Sequence, residues 1–374
     1  MRISSNFDSG NIEVIEAADP ADIRLAIRKD KDSDFYQWFH FRLTGAKGTP
    51  CTLRIVNAGG AAYPGGWPGY RARASYDRET WFQVPTEYRD GVLSITLTPE
   101  RDSVHFAYFA PYSMERHHDL IARCQLSPLV RLEVAGTTLD GQDIDLLQVG
   151  TPGAGKKRCW VIARQHPGET MAEWWMEGFL ERLLDPADPV ARAVLDRAVL
   201  YVVPNMNPDG SRRGHLRTNA AGANLNREWL EPTAERSPEV LHVRAAMAER
   251  GIDFCLDVHG DEAIPANFLA NCFGIPSLTP KQKALHHDFS DALLKASPDF
   301  QDKLGYEENP PGKANLTMCT NYLAETHGCL AMTLEMPFKD NDGLPDPAHG
   351  WSPARCKLFG RANLDALLQV VEGL

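Results

Sequence analysis

Apolar residues recur along this chain in two patterns, and the change from one to the other divides it. Up to about residue 120 they form short runs rich in aromatic and β-branched side chains, separated by Gly, Pro, Asp and Lys turns. The runs 23–27, 36–43, 51–56, 81–84, 92–97 and 104–109 predict strands, and with almost no helical periodicity they predict a small β-sandwich. The stretch 58–70, with five Gly and two Pro around Trp67, is too irregular for a strand. It reads as a loop, either packed around a buried Trp or facing substrate. Ser113 is placed to cap a helix over MERHHDLIARC, where the adjacent His117 and His118 are expected to be solvated surface.

From Val130 onward strand and helix patterns alternate. Strands are predicted at 131–134, 143–149, 159–163, 199–203, 252–258 and 330–334, and helices at 170–183, 238–250, 280–296 and 353–372. This is the pattern of an α/β protein with helices flanking a sheet. The division expected is therefore an N-terminal β-sandwich domain, 1–120, and an α/β domain, 121–374.

Composition narrows the range of partners. With 374 residues and a net charge of −11, the chain has room for two cores but no basic field for nucleic acid or an anionic membrane. The eight Cys show no paired C-x-x-C spacing and read as reduced core thiols. There is no apolar leader and no run long enough to span a bilayer, so a soluble cytoplasmic protein is expected. Nothing in the pattern sets an oligomeric state.

The informative polar residues fall at the ends of the predicted strands. His166-Pro167-Gly168-Glu169 separates a buried strand pattern from a helix pattern, holding a His and a Glu three residues apart. A second His-x-x-Glu, His259 to Glu262, follows another apolar strand, so spacing alone does not say which pair matters. Asn205, Asn207 and Asp209 follow a third strand and Glu335 a fourth. Four strand ends thus deliver His plus Glu, an Asn/Asp loop, a second His and another Glu to one edge, where open α/β sheets bind ligands. That set suits a three-ligand zinc site with an open position and a separate carboxylate base.

The ordered motifs HPGE, NPDG, LRTNAAGANLNREW, DVHG and TLE resemble the zinc carboxypeptidases of the carboxypeptidase A superfamily, specifically the cytosolic carboxypeptidase (deglutamylase-like) branch. WFHFRLTG, LRIVNAG and HFAYFAPYS resemble the β-sandwich that precedes the catalytic domain there. The resemblance implies a carboxypeptidase-type mixed sheet with flanking helices, bound Zn2+, and peptide or protein C-terminal tails as substrate. It implies His166, Glu169 and His259 as zinc ligands, Glu335 as general base and Arg217 as the group polarising the scissile carbonyl. Asn226 and Arg227 match the pair that clamps the terminal carboxylate; the alternative for Arg227 is a structural salt bridge at a helix start. For the tyrosine that closes over substrate, Tyr306 and Tyr322 are the candidates. For a basic residue reading an acidic side chain, Lys313 is the candidate, with Asn315 the alternative at that pocket. Two rival functions remain, a zinc amidohydrolase acting on acyl-amino acids and a non-catalytic binder of peptide C-termini.

Overall fold

The computed structural model describes residues 1–374. Ten strands come first: β1 (Arg2–Ser4), β2 (Glu13–Glu16), β3 (Ile23–Ala26), β4 (His40–Thr44), β5 (Cys51–Ile55), β6 (Arg73–Ser75), β7 (Phe82–Gln83), β8 (Thr86–Arg89), β9 (Val92–Leu97) and β10 (Ser103–Ala107). They form two five-stranded sheets, ordered β1-β4-β10-β6-β7 and β2-β3-β5-β9-β8. Alternation sets what is buried. Leu53 and Ile55 of β5 and Leu93 and Ile95 of β9 turn inward, and Phe41 of β4 stacks on Phe106 of β10 at 5.3 Å. The expected strand 36–43 begins only at His40, and β1, β2, β6 and β8 have no counterpart among the predicted strands. The reason is plain for β2: all four residues of this edge strand are exposed, so it has no apolar face to read. The loop around Trp67 contains two short 3-10 turns, and the indole is buried with its N–H on the Ala58 carbonyl at 2.8 Å, as the packed-loop expectation had it.

Helix α1 (Met114–Cys124) follows, with the Ser113 hydroxyl accepting from the Arg116 N–H at 3.2 Å. The structure corrects the reading of its histidines. His118 is exposed, but His117 belongs to the buried stripe Met114, His117, Leu120, Ile121 and Cys124. Its Nδ1 lies 2.6 Å from Glu173 and its Nε2 3.0 Å from Asp145. The helical spacing of those apolar neighbours points His117 inward, which its polar sequence neighbours conceal.

The rest of the chain runs β11 (Val130–Thr137), β12 (Asp143–Val149), β13 (Lys157–Ala163), α2 (Met171–Leu183), α3 (Pro189–Arg197), β14 (Ala198–Val203), α4 (Pro208–Arg213), α5 (Pro238–Arg250), β15 (Phe254–Asp261), β16 (Phe268–Ala270), α6 (Pro280–Ala296), α7 (Cys319–His327), β17 (Leu330–Pro337) and α8 (Pro353–Val370). The seven-stranded sheet is ordered β11-β12-β14-β13-β15-β17-β16, parallel across β14, β13, β15 and β17 and antiparallel at both edges. Val161, Val202, Leu256 and Met332 face α2, α3, α6 and α8, while Trp160, Tyr201, Cys255 and Ala331 face α5 and α7. Helices α2 and α8 meet so closely that a Cβ at Gly178 would fall 2.2 Å from the Lys357 carbonyl oxygen. Helices α3, α4 and α7 and strand β16 are not among the predicted elements.

The sandwich and the sheet share one continuous core. Tyr108 stacks on Phe338 with ring centroids 4.4 Å apart, and the Arg73 guanidinium donates to the carbonyls of Phe338 and Lys339 at 3.1 and 3.0 Å. All eight cysteines are buried and unpaired, as expected. No helix is long and apolar enough to cross a membrane.

Candidate active site

The site begins where β13 ends. Arg164 adopts a left-handed backbone (φ 62°), a conformation rare for a side chain of its size, and the surroundings hold it there. Its buried guanidinium donates to Glu173 at 2.6 Å, to the Tyr112 carbonyl at 2.8 Å and to the Pro167 carbonyl at 3.1 Å. The chain therefore turns sharply and presents His166 and Glu169 along one edge. Gly168 makes this possible from the other side, since a Cβ there would meet the Leu216 carbonyl oxygen at 2.8 Å. That contact brings the segment carrying Arg217 against the turn.

His259 reaches the same point from β15. The structure places it inside the strand and not past its end, as it places Glu335 inside β17. Both strands run further than their apolar runs because their last polar residues continue the pairing. His166 Nδ1 lies 2.7 Å from Glu169 Oε1, and His259 Nδ1 lies 2.7 Å from Glu169 Oε2 and 3.2 Å from His166 Nδ1. The three donor atoms fall within 4.8 Å of one another, and all three residues are buried. The second His-x-x-Glu does not compete: Glu262 is buried beyond the strand, against Gly66 of the Trp67 loop, and is not part of this group.

This donor set fits zinc. Each imidazole turns Nδ1 inward and ties Nε2 outward, His166 to the Asn224 side-chain oxygen at 3.0 Å and His259 to the Asp257 carboxylate at 3.0 Å. Such outer contacts fix the ring and its tautomer. Gln165 extends the set, donating to Asp257 at 2.6 Å while accepting from the Trp229 indole at 2.8 Å. The buried acidic groups attract positive charge: burial lowers the pKa of His259, but Asp257 and Glu169 outweigh it and hold it well above its ordinary value. Burial, joined by repulsion from Glu169, Asp261 and Glu262 that the attraction of His259 does not offset, pushes Glu335 well above the usual carboxylate range. Burial and Glu169 raise Glu262 to about 8. His166 is lowered to about 4 by burial and by Arg217, a neutral imidazole suited to a metal.

The two oxygens of Glu335 differ in their surroundings. Tyr306 donates its hydroxyl to Asp261 at 2.7 Å and lies 3.3 Å from Glu335 Oε1, whereas Glu335 Oε2 is buried without a partner. The Tyr306 ring is half exposed, but its hydroxyl is enclosed; burial together with Glu335 and Asp261 raises its pKa far enough to keep it a donor. Tyr322 lies elsewhere, under Arg244 on the α5/α7 side of the sheet.

Arg217 reaches the group with Nη1 3.9 Å from Glu169 Oε1. The Asn226 side-chain oxygen accepts from the Cys319 N–H at 2.9 Å, which leaves its amide NH2 available. Arg227 is exposed and forms no ion pair, the one hydrogen bond of its side chain running to the Asn226 main-chain carbonyl at 2.6 Å. The salt-bridge alternative therefore does not hold. Nor does a helix start here: Leu225–Arg227 is a single 3-10 turn, and α5 begins eleven residues later at Pro238.

Beside Glu335 lies a cavity of about 90 Å3 bounded by Asn226, Leu269, Asn271, Tyr306, Glu307, Glu308, Thr320 and Thr333 among others. Lys313 is exposed and does not line it, and Asn315 is spent on its own turn, accepting from Thr317 at 2.7 Å. Neither of the two residues considered for reading an acidic side chain is at this cavity, because the chain enters α7 beyond them and presents Thr320 instead. Asp257, Gln165 and Asn224 are the site residues that sequence reasoning missed. Only Asp257 carried a signal, an acid two residues before His259 and so on the same face of the strand.

Residues 3–109 match the cytosolic carboxypeptidase N-terminal domain, and residues 121–355 match the zinc carboxypeptidase family. The chain is similar to a metallo-carboxypeptidase of Pseudomonas aeruginosa solved with (2-guanidinoethylmercapto)succinic acid, with 50% identity, all of both chains covered and a TM-score of 0.98. It is similar also to a metallo-carboxypeptidase of Burkholderia cenocepacia, with 49% identity over 98% of each chain and a TM-score of 0.96. Cytosolic carboxypeptidase 4 of Mus musculus is 28% identical over 80% of this chain, which spans 31% of the mouse protein's length. With the metal-binding geometry and the matched families in agreement, the chain belongs to the zinc carboxypeptidases, carries the N-terminal domain of their cytosolic branch, and is a metallocarboxypeptidase that uses Zn2+.

Proposed function

We propose that the chain removes single residues from the C-termini of peptides or protein tails, with residues 1–120 as a front domain and 121–374 as the catalytic domain. His166, Glu169 and His259 are its zinc ligands and Glu335 its general base. The observation that carries the reading is the convergence of two imidazole nitrogens and a carboxylate beside a buried carboxylate with a free oxygen. Zinc held there supplies Lewis acidity, lowering the pKa of a water and polarising a carbonyl. Glu335 Oε2 takes the proton of the attacking water and returns it to the departing amine, while Oε1 lies 3.3 Å from the Tyr306 hydroxyl. The Arg217 guanidinium stabilises the charge that develops on the carbonyl oxygen. The free amide of Asn226 and the unpaired guanidinium of Arg227 bind the substrate's terminal carboxylate.

The side chain being removed enters the cavity beside Glu335, which offers hydroxyls, amides and the carboxylates of Glu307 and Glu308 but no cation. The substrates are therefore tails ending in neutral or basic residues and not in glutamate, a departure from what Lys313 suggested. The guanidino arm of the compound bound by the Pseudomonas relative fits that preference. The reduced cysteines agree with a cytoplasmic location.

Release profiling by mass spectrometry on a mixed peptide library, with and without chelator, tests this. Residues lost singly from C-termini and protected by the chelator are expected. Cleavage of acyl-amino acids in place of peptides, or no turnover at all, would sink the proposal.

A further inference from the structure

The guanidinium of Arg217 is held in an unusual way. It makes no hydrogen bond to the protein within normal range: Nη1 is 3.9 Å from Glu169, and the buried Nε has no partner. A long, flexible side chain without such contacts is placed by its backbone and by the surfaces around it. Both come from the front part of the chain. Asp30, 2% exposed, accepts from the Leu216 N–H at 2.7 Å, the Arg217 N–H at 2.8 Å, the Thr218 N–H at 2.9 Å and the Thr218 hydroxyl at 3.0 Å. The N–H of Lys31 meets His215 Nε2 at 3.1 Å, and the Asn11 amide donates to the Gly214 carbonyl at 2.9 Å. The segment from Gly214 to Thr218 is thus fastened to residues nearly two hundred positions earlier.

The same front elements supply the rings against the guanidinium. The Asp30 N–H donates to the Phe35 carbonyl at 2.8 Å, closing a turn that presents the Phe35 ring 5.7 Å from Arg217 Cζ. Tyr63 lies 5.2 Å away on its own loop, fixed by Gln37, whose side-chain oxygen accepts from the Tyr63 N–H at 2.8 Å and whose amide donates to the Tyr63 carbonyl at 3.1 Å. Aromatic faces attract a guanidinium without consuming its N–H donors. Those donors remain available for a developing oxyanion.

We propose that Asp30 is a positioning residue for catalysis: its carboxylate, reaching across from the front domain, clamps the Leu216–Thr218 main chain so that Arg217 faces the scissile carbonyl with its donors free. This inference rests on the role given to Arg217 under Proposed function. The front domain is then part of the catalytic machinery, and its contribution is to the transition state more than to substrate capture.

The test compares the parent, Asp30→Asn, Arg217→Ala and the double variant on one free-acid peptide, with zinc content and Tm measured for each. Arg217→Ala should lower kcat by on the order of 10²- to 10³-fold, the usual loss for an oxyanion donor. Asp30→Asn should lower kcat by at least roughly tenfold, with KM within about threefold and zinc retained, as expected for an interaction made in the transition state. In the Arg217→Ala background it should add less than about threefold, because the two act through one guanidinium. If Asp30→Asn does not fold, Thr218→Val, which deletes one of the four donors, should show a smaller loss with the same non-additivity. Parental kcat in a folded Asp30 variant, equal losses in both backgrounds, or zinc lost with Asp30 would each overturn the clamp. Parental kcat in Arg217→Ala would instead remove Arg217 from the mechanism, and the clamp with it.

Discussion

His259 and Glu335 lie directly opposite each other in register on the adjacent parallel strands β15 and β17, each on the face that also carries Asp257 and Thr333. Side chains opposite one another on neighbouring strands share a face and a depth. The sheet itself therefore sets the distance between the imidazole proposed to bind metal and the carboxylate beside it, with no loop in between.

That rigidity makes Glu335 separable from metal binding. Glu335→Gln should fold, hold zinc and lose roughly two to four orders of magnitude in turnover, the range for a missing acid/base group. Parental turnover in a zinc-loaded variant would place the base elsewhere.

The two His-x-x-Glu motifs should behave differently. Glu169 bridges both imidazoles and also accepts from the Gly260 N–H at 3.0 Å, whereas Glu262 is not part of the proposed ligand group. Metal analysis should find zinc stripped from Glu169→Ala and retained in Glu262→Ala. Equal metal content in the two would refute the ligand assignment.

Recognition of the substrate's end can be tested by a cycle of two enzymes and two peptides. A carboxylate gripped by Arg227 and Asn226 should contribute on the order of 2 to 5 kcal/mol, or roughly thirty- to several-thousand-fold in kcat/KM. A C-terminally amidated peptide should be nearly inert, and Arg227→Ala should cripple cleavage of the free acid while costing the amidated peptide little. Additive effects would mean that Arg227 does not contact the carboxylate.

The cavity beside Glu335 predicts the order of preference among C-terminal residues. Peptides ending in Lys, Arg or Asn should be cleaved faster than the same peptide ending in Glu, and Lys313→Ala should leave the ratio unchanged, since Lys313 does not line the cavity. Preferential glutamate release, abolished in Lys313→Ala, would restore the acidic reading.

Burial lowers the pKa of His117, but Glu173 and Asp145 outweigh it and hold the imidazole at about 9. A folded-state pKa raised above the unfolded value near 6.5 contributes stability that is fully present below about pH 6.5 and is lost as pH rises through about 9. The amount is on the order of 3 kcal/mol. Thermal unfolding of the parent and of His117→Gln should give curves that differ by several degrees at pH 6.5 and converge above pH 9. A constant gap across that range would show that His117 does not titrate between the two states.

The sequence by itself determined the elements whose burial is periodic and the residues whose chemistry has few substitutes. Strand 143–149 and helices 238–250 and 280–296 fall where the apolar pattern put them, and His166, Glu169, His259 and Glu335 stand out as metal-type side chains ending apolar runs. Exposed β2 and the short α4 and α7 left no comparable period. What only the tertiary structure decided depends on segments distant in sequence. It turned His117 inward, kept Lys313 away from the cavity beside Glu335, and brought Asp30 and Tyr63 to Arg217. Local pattern reports which way a residue faces on its own element; which residue it meets there is set by how the sandwich packs on the sheet, and a carboxylate such as Asp30 carries no periodic mark of the main chain it will bind.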